Sequence, residues 1–352
     1  MADISEQLQQ QVQSALEHHQ PLAIRGSNSK SFYGHAVSGT PLETGGHTGI
    51  VTYEPTELVL TARAGTPLEI IEQTLAKQGQ MLAFEPPHFG AGATLGGTVA
   101  CNFSGPRRAT AGAARDFVLG CKLINGRGEL LHFGGEVMKN VAGYDVSRLM
   151  AGALGTLGVL LEVSLKVLPR PEGEQTLVQE CSEESAIKRM NQWAQQSLPI
   201  SATCYDGVSL YVRLCGTAGT IAAARKLIGG EEVPPTRTWW HKLKEQQHAF
   251  FSGDKPLWRL SLASTTPPVP LKGKWLYEWG GAQRWLVADE PAERIRQTAE
   301  KAGGHATLYR GESGDLEVFH PLPAGLMKLQ RNLKQAFDPR GIFNPGRMYK
   351  EI

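Results

Sequence analysis

Ile4, Leu8, Val12, Ala15 and Leu16 recur at helical spacing in a polar opening, which predicts an amphipathic helix over 3–19 with Asp3 and Glu6 spaced as a capping box. PLAIRG (21–26) then reads as a short buried strand that empties into a turn-rich loop, GSNSKSFYG (26–34). LVLTARAG (58–65) is a second strand, and TPLEIIEQTLAKQG after it is helical, with Pro67 in its first turn and Gly79 at its C-terminal cap. QMLAF (80–84) supplies the next strand. DFVLGCKLINGRGELLHFG (116–134) predicts a hairpin turning near Asn125-Gly126, and GVLLEVSLKVLP (158–169) is too rich in Val and Leu for an edge strand. The stretch LPRPEGEQ (168–175) reads as a linker, because Pro blocks both helix continuation and strand pairing. Beyond it, strand-like runs (TLVQEC, LYVRLC, LWRLSL, RWLVAD) alternate with helix-like ones at 182–197 and 217–228, and 324–338 closes the chain as a helix before a final loop.

A chain of 352 residues suggests two domains, or one large domain with an insertion, at roughly 100–200 residues per domain. Its 41% apolar and 20% charged residues are ordinary for a folded globular protein. The formal charge of +2 lacks the basic footprint of a nucleic-acid binder. No apolar run is long enough to span a membrane and residues 1–20 are too polar for a signal peptide, so a cytoplasmic location is expected. Five cysteines without a C-x-x-C pair offer neither a disulfide scaffold nor an iron–sulfur pattern. Glycine is the outlier, 40 residues concentrated in the first half, while all seven tryptophans lie between 193 and 285.

Three glycine-rich turns stand beside strands, at 26–34, 90–97 and 151–158. Gly90, Gly92 and Gly96 are spaced one residue too long for G-x-G-x-x-G and follow Pro86-Pro87 rather than a strand, which disfavours a Rossmann site. Such turns are often only tight turns, yet backbone amides freed of side chains also cradle a pyrophosphate without many formal charges. The tryptophans can line a pocket, cover a partner surface or fill a core, and Arg107-Arg108 can attract an anion or simply face solvent.

Five ordered motifs carry a resemblance: RGSNSK (25–30), ATLGGTVACNFSG (93–105), RDFVLG (115–120), GYDVSRLMAGALGTLGVLLEVSLKVLPRP (143–171) and FDPRGIFNPGR (337–347). Together they resemble the PCMH-type FAD-binding domain of the vanillyl-alcohol oxidase and p-cresol methylhydroxylase superfamily. Within it, the short length and the run FGGEVMKNVAGYD (133–145) look like the FAD-binding subunits of glycolate oxidase.

The resemblance implies an α+β fold: a PCMH-type FAD domain of two α/β subdomains over 1–171, a small Trp-rich α+β cap over 172–300, and a segment over 301–352 returning to the FAD domain. It implies a pyrophosphate held by Gly26, Ser27, Asn28, Ser29 and Lys30, with Thr94, Gly96 and Gly97 beside the flavin. Gly155, Thr156, Gly158 and Val159 fall on the adenine side, and Asn344 reaches the flavin region. Covalent members place a histidine in the first glycine loop where this chain has Ser27–Ser29, so noncovalent FAD is expected. Leu154 stands where the family often has a carboxylate.

Relatives that oxidise 2-hydroxy acids share an H-x-G-D-G-N-x-H stretch and a later Glu-His pair. Here GGHATLYR (303–310) offers His305 alone, so no catalytic residue is assigned and no metal site is expected. The implied function is therefore the FAD-binding subunit of a multi-subunit glycolate oxidase, beside a catalytic D-type flavoprotein subunit and an iron–sulfur subunit, with those partners the route to any inner-membrane association. A self-sufficient FAD oxidoreductase acting on a small hydroxylated substrate and a non-redox assembly subunit are the alternatives.

Overall fold

The computed structural model describes residues 2–135, 145–234 and 236–352; the run at 133–145 that suggested a subfamily falls mostly outside them. The chain is α+β and divides into two units.

The first unit comprises Met1–Phe103, Ala113–Pro169 and Pro321–Ile352. Its main sheet has five antiparallel strands in the order Ile50–Glu54, Val59–Arg63, Val159–Lys166, Val118–Ile124, Leu130–Gly134. The Val- and Leu-rich run expected to avoid an edge is the central strand, with Val159, Leu161, Val163 and Leu165 fully buried. Such burial is worth roughly 1.5–3 kcal/mol per side chain, which fixes the strand's register face by face. The opening helix, Ser5–Glu17, lays Leu8, Val12 and Ala15 on the same core as Val159, Leu161 and Ile124. Strand Leu22–Arg25 pairs in parallel with Thr40–Glu43.

Several local expectations change. No capping box forms at the first helix: Ile4 occupies the cap position, and Asp3 instead accepts from the Ser5 amide at 3.0 Å and from Arg63 Nη2 at 2.9 Å. The hairpin turns over Asn125–Glu129, where Asn125 Oδ1 accepts from the amides of Arg127 and Glu129. Gly128, not Gly126, takes the left-handed φ of 74°. Gly126 is glycine because a Cβ there would lie 2.5 Å from the Cα of Asp338. The supposed linker is largely strand, since Leu168–Pro169 pairs with Gln80–Met81 and Gly173 opens the strand Gly173–Glu180.

The second unit comprises Ser104–Gly112 and Arg170–His320, so the expected divisions at 171 and 301 both move. Strand His305–Arg310 pairs with Leu257–Ser261 and thereby belongs to this unit's eight-stranded sheet, whose described pairings are all antiparallel. Residues 104–112 join it because Arg107 Nη2 meets Glu174 Oε1 at 2.8 Å and Trp279 Nε1 donates to the Gly105 carbonyl at 3.1 Å. Helices Glu183–Ala194 and Ala218–Ile228, both expected, pack over Leu177, Leu210, Val212 and Leu214. Helix Ala292–Lys301, not expected, covers a second cluster with Trp258, Leu260 and Leu286. None of the tryptophans is exposed. Trp240 is 4% exposed and donates to Thr176 Oγ1, and Trp239 stacks on Tyr211 at 4.1 Å, so these rings serve packing. Among the described residues, no helix is long and apolar enough to cross a membrane.

The C-terminal segment is tied to the first unit by a buried ion pair. Lys334 Nζ donates to Asp338 Oδ2, the Thr156 carbonyl and the Phe343 carbonyl at 2.7–2.8 Å, while Asp338 accepts from the amides of Ile342 and Phe343. Burial pulls the Lys334 ammonium down and Asp338 opposes that pull. Asp338→Ala strands the ammonium and should cost about 3–5 kcal/mol, read as a lowered urea midpoint; an unchanged midpoint would contradict the tie. His47, fully buried, accepts the Ile4 amide on Nδ1, and burial holds its pKa below the ordinary 6.5. The unfolded chain therefore binds a proton that folded His47 refuses, and stability should fall as pH drops through 6.5. Melting should be lower at acid pH than at neutral pH, with a shallower dependence in His47→Gln.

Candidate cofactor-binding site

The loop after strand Leu22–Arg25 and the helix Leu95–Cys101 border a cavity of about 270 Å³ whose wall includes the whole run Gly26–Lys30. Gly26 is required by proximity: a Cβ there would collide with Thr94 Oγ1. Asn28 adopts a left-handed φ of 62°, which Asn tolerates better than most residues. Among the described residues, no protein acceptor takes the backbone N–H of Ser27, Asn28 or Ser29. A left-handed residue within a run of available amides is the geometry of an anion nest. Lys30 is only 6% exposed, and its ammonium lies 3.3 Å from both Ser29 Oγ and the His88 carbonyl. Thr94 caps the next helix, accepting from the Gly97 amide at 3.3 Å.

Asn344 closes the site from the far end of the chain. Its Oδ1 accepts the Ile24 amide at 2.8 Å and its Nδ2 donates to the Leu154 carbonyl at 2.7 Å. Both the oxygen and the nitrogen of the side-chain amide bond backbone, so Asn344 shapes the wall by joining strand Leu22–Arg25 to the turn at Leu154. Arg347, which the sequence motifs include without singling it out, also lines the cavity, as does Cys101, whose thiol burial pushes up to about 11.

The structure thus gathers Gly26, Ser27, Asn28, Ser29, Lys30, Thr94, Gly97 and Asn344 around one cavity. It does not bring Gly96, Gly155, Thr156, Gly158 or Val159 to that wall. A Cβ on Gly96 would sit 2.7 Å from the Ala64 Cβ, and one on Gly158 would sit 2.9 Å from the Ile124 carbonyl, so both glycines serve close packing. Thr156 turns its hydroxyl back to the Ala153 carbonyl at 2.7 Å, Val159 is core, and Gly155 backs onto Asn344 Nδ2. Leu154, at the position where a carboxylate is often found, is the residue of that loop that reaches the cavity, at a left-handed φ of 52°.

In the second unit, His305 begins the edge strand, its ring 6.3 Å from that of His320, which pairs with Glu300. Among the described residues, no group of three or more His, Cys, Asp or Glu is placed to hold a metal. Arg107 is engaged by Glu174, and Arg108 lies 4.3 Å over the Trp279 ring.

Two adjacent glycines therefore separate experimentally. Gly96→Val should overpack against Ala64 and cost about 1–3 kcal/mol, lowering the melting temperature. Gly97 lines the cavity, and a Cβ there would lie 3.1 Å from Thr94 Oγ1 rather than against backbone, so Gly97→Val should lower flavin occupancy with a smaller loss of stability. Equal effects of the two substitutions on both readouts would contradict this division.

Residues 2–134 match the FAD binding domain family. The p-cresol methylhydroxylase structure with substrate bound shares the fold at a TM-score of 0.75 and 14% identity, over 99% of this chain and 88% of that one. The Bacillus subtilis (strain 168) glycolate oxidase subunit GlcD is 32% identical over 168 residues, 46% of this chain and 35% of that protein. The Escherichia coli (strain K12) glycolate oxidase subunit GlcE is 51% identical over 350 residues, 99% of each chain. With cradle, C-terminal clamp and near-complete alignment in agreement, this chain belongs to the GlcE family of FAD-binding flavoprotein subunits.

Proposed function

We propose that the chain is the FAD-binding subunit of a multi-subunit glycolate oxidase, working with a GlcD-type catalytic flavoprotein and an iron–sulfur subunit. The observation that carries this reading is end-to-end similarity to a GlcE subunit combined with a cavity wall suited to holding an anionic dinucleotide. Gly26, Ser27, Asn28, Ser29 and Lys30 would hold the diphosphate through backbone amides and an ammonium. Thr94 fixes the turn of the second loop, Gly97 leaves room beside it, and Asn344 ties strand Leu22–Arg25 to the turn at Leu154.

FAD, when bound, supplies a two-electron acceptor for oxidation of the α-carbon of glycolate to glyoxylate. The chain's own contribution is binding and orientation. The described residues lining the cavity offer amides, hydroxyls, a thiol and cations, with no imidazole or carboxylate among them. Taking the hydroxyl proton of a 2-hydroxy acid requires a positioned base, typically worth 10²–10⁴-fold. In this reading the D-type subunit supplies it, and the iron–sulfur subunit carries electrons onward.

The first glycine loop offers Ser27 and Ser29 rather than histidine, so attachment is noncovalent and acid precipitation should leave FAD in the supernatant. Glycolate added anaerobically to the isolated yellow chain should not bleach its flavin, whereas bleaching should follow once the two partner subunits are present. Bleaching by the lone chain would replace this reading with a self-sufficient oxidoreductase, and a chain that purifies and reconstitutes without flavin would leave only an assembly role.

A further inference from the structure

Arg347 is a cation in the cavity wall whose hydrogen-bond partners, among the described residues, are all backbone carbonyls. Its Nη1 donates to the His35 carbonyl at 2.7 Å, and its Nη2 donates to the Ser31 carbonyl at 3.1 Å and reaches the Lys30 carbonyl at 3.4 Å. The Arg347 carbonyl in turn accepts the His35 amide at 2.9 Å. Gly34 makes the wrap feasible, with φ of 89° and a Cβ position only 2.7 Å from the Arg347 carbonyl oxygen. The loop that begins with the nest therefore ends folded around one guanidinium.

Resting on the FAD reading of this cavity, we propose that Arg347 is the positioning residue of the diphosphate cradle. A chain curled around an anion must send its carbonyl oxygens elsewhere, because their dipoles repel negative charge. The guanidinium fork, with five donors in fixed geometry, collects the carbonyls of Lys30, Ser31 and His35, the residues that continue the loop directly after the nest amides. The same group carries a charge that no described carboxylate answers. Arg347 is partly exposed, so its charge reaches the cavity it lines, and a dinucleotide diphosphate is a counter-charge for which the adjacent amides are arranged. Arg347 thus serves twice, setting loop shape and contributing positive potential.

The test compares Arg347→Met, Arg347→Lys and wild-type full-length apoprotein for binding of FAD, ADP and riboflavin, with melting of each apoprotein. Wild type should bind FAD and ADP. Arg347→Met should weaken both by about tenfold or more, the scale of one lost charge-assisted interaction. Riboflavin affinity should stay unchanged, and the salt dependence of FAD binding should become shallower. Arg347→Lys, which keeps charge but cannot collect three carbonyls, should fall between, and it carries the test if the Met variant fails to fold. Wild-type FAD and ADP affinities in Arg347→Lys, or an equal loss for riboflavin in Arg347→Met, would overturn the assignment. A wild-type chain that binds neither FAD nor ADP would instead bring down the reading of the cavity itself.

Discussion

The side chain of Asn344 is the contact on which the cavity depends. It takes the backbone amide of Ile24, in strand Leu22–Arg25, and gives a hydrogen bond to the carbonyl of Leu154, in the third glycine-rich turn. Buried backbone groups left without partners are costly, so the C-terminal segment helps hold the strand and the turn in their places. That arrival is itself secured. The Leu22 amide donates to the Ile342 carbonyl, the Asn344 amide donates to the Leu22 carbonyl, and Lys334 binds the Thr156 and Phe343 carbonyls while neutralising Asp338. A site whose glycine loops lie in the first half of the chain is thus completed by its last residues.

How much of this could be read from the sequence depends on the range of the interaction. The central strand and the helices Ser5–Glu17, Glu183–Ala194 and Ala218–Ile228 announce themselves by apolar period, because burial acts residue by residue along the element. Asn125-Gly126 marks a real turn for an incomplete reason. The local signal identifies a bend, but Gly126 answers to Asp338, more than two hundred positions away. Arg347 is the same problem in reverse, since nothing around NPGR states which carbonyls will surround its side chain. The tryptophans pose a related problem: Trp240 and Trp285 bury their rings with their indole N–H groups donated to Thr176 and Glu278, partners that sequence spacing does not name.

Glycine motifs carry position without direction. Gly96 and Gly97 are neighbours on one helix, and a helical step of about 100° per residue sends their Cα hydrogens to different surroundings. One meets Ala64 and permits the helix to lie against the strand end; the other faces the Thr94 hydroxyl at the cavity wall. The loop 151–158 divides in the same way, with Leu154 at the wall and Gly158 against the Ile124 carbonyl. The family motif therefore mixes residues that touch the site with residues that let the touching elements approach.

The second unit offers an internal comparison for Arg347. Arg284 is fully buried, and its guanidinium likewise gathers carbonyls, those of Gly281, Pro267 and Thr266. There the charge is answered within the protein: the guanidinium lies 4.6 Å over the Tyr277 ring, and Tyr277 Oη donates to Glu183. The same fork thus performs the same mechanical task in both units, holding carbonyl oxygens of an irregular loop. Arg347, unlike Arg284, borders a cavity beside available amides, with no carboxylate among its described partners. A protein that needed only a strut had the Arg284 solution to hand, and the difference between the two settings is the electrostatic space an anionic ligand would fill.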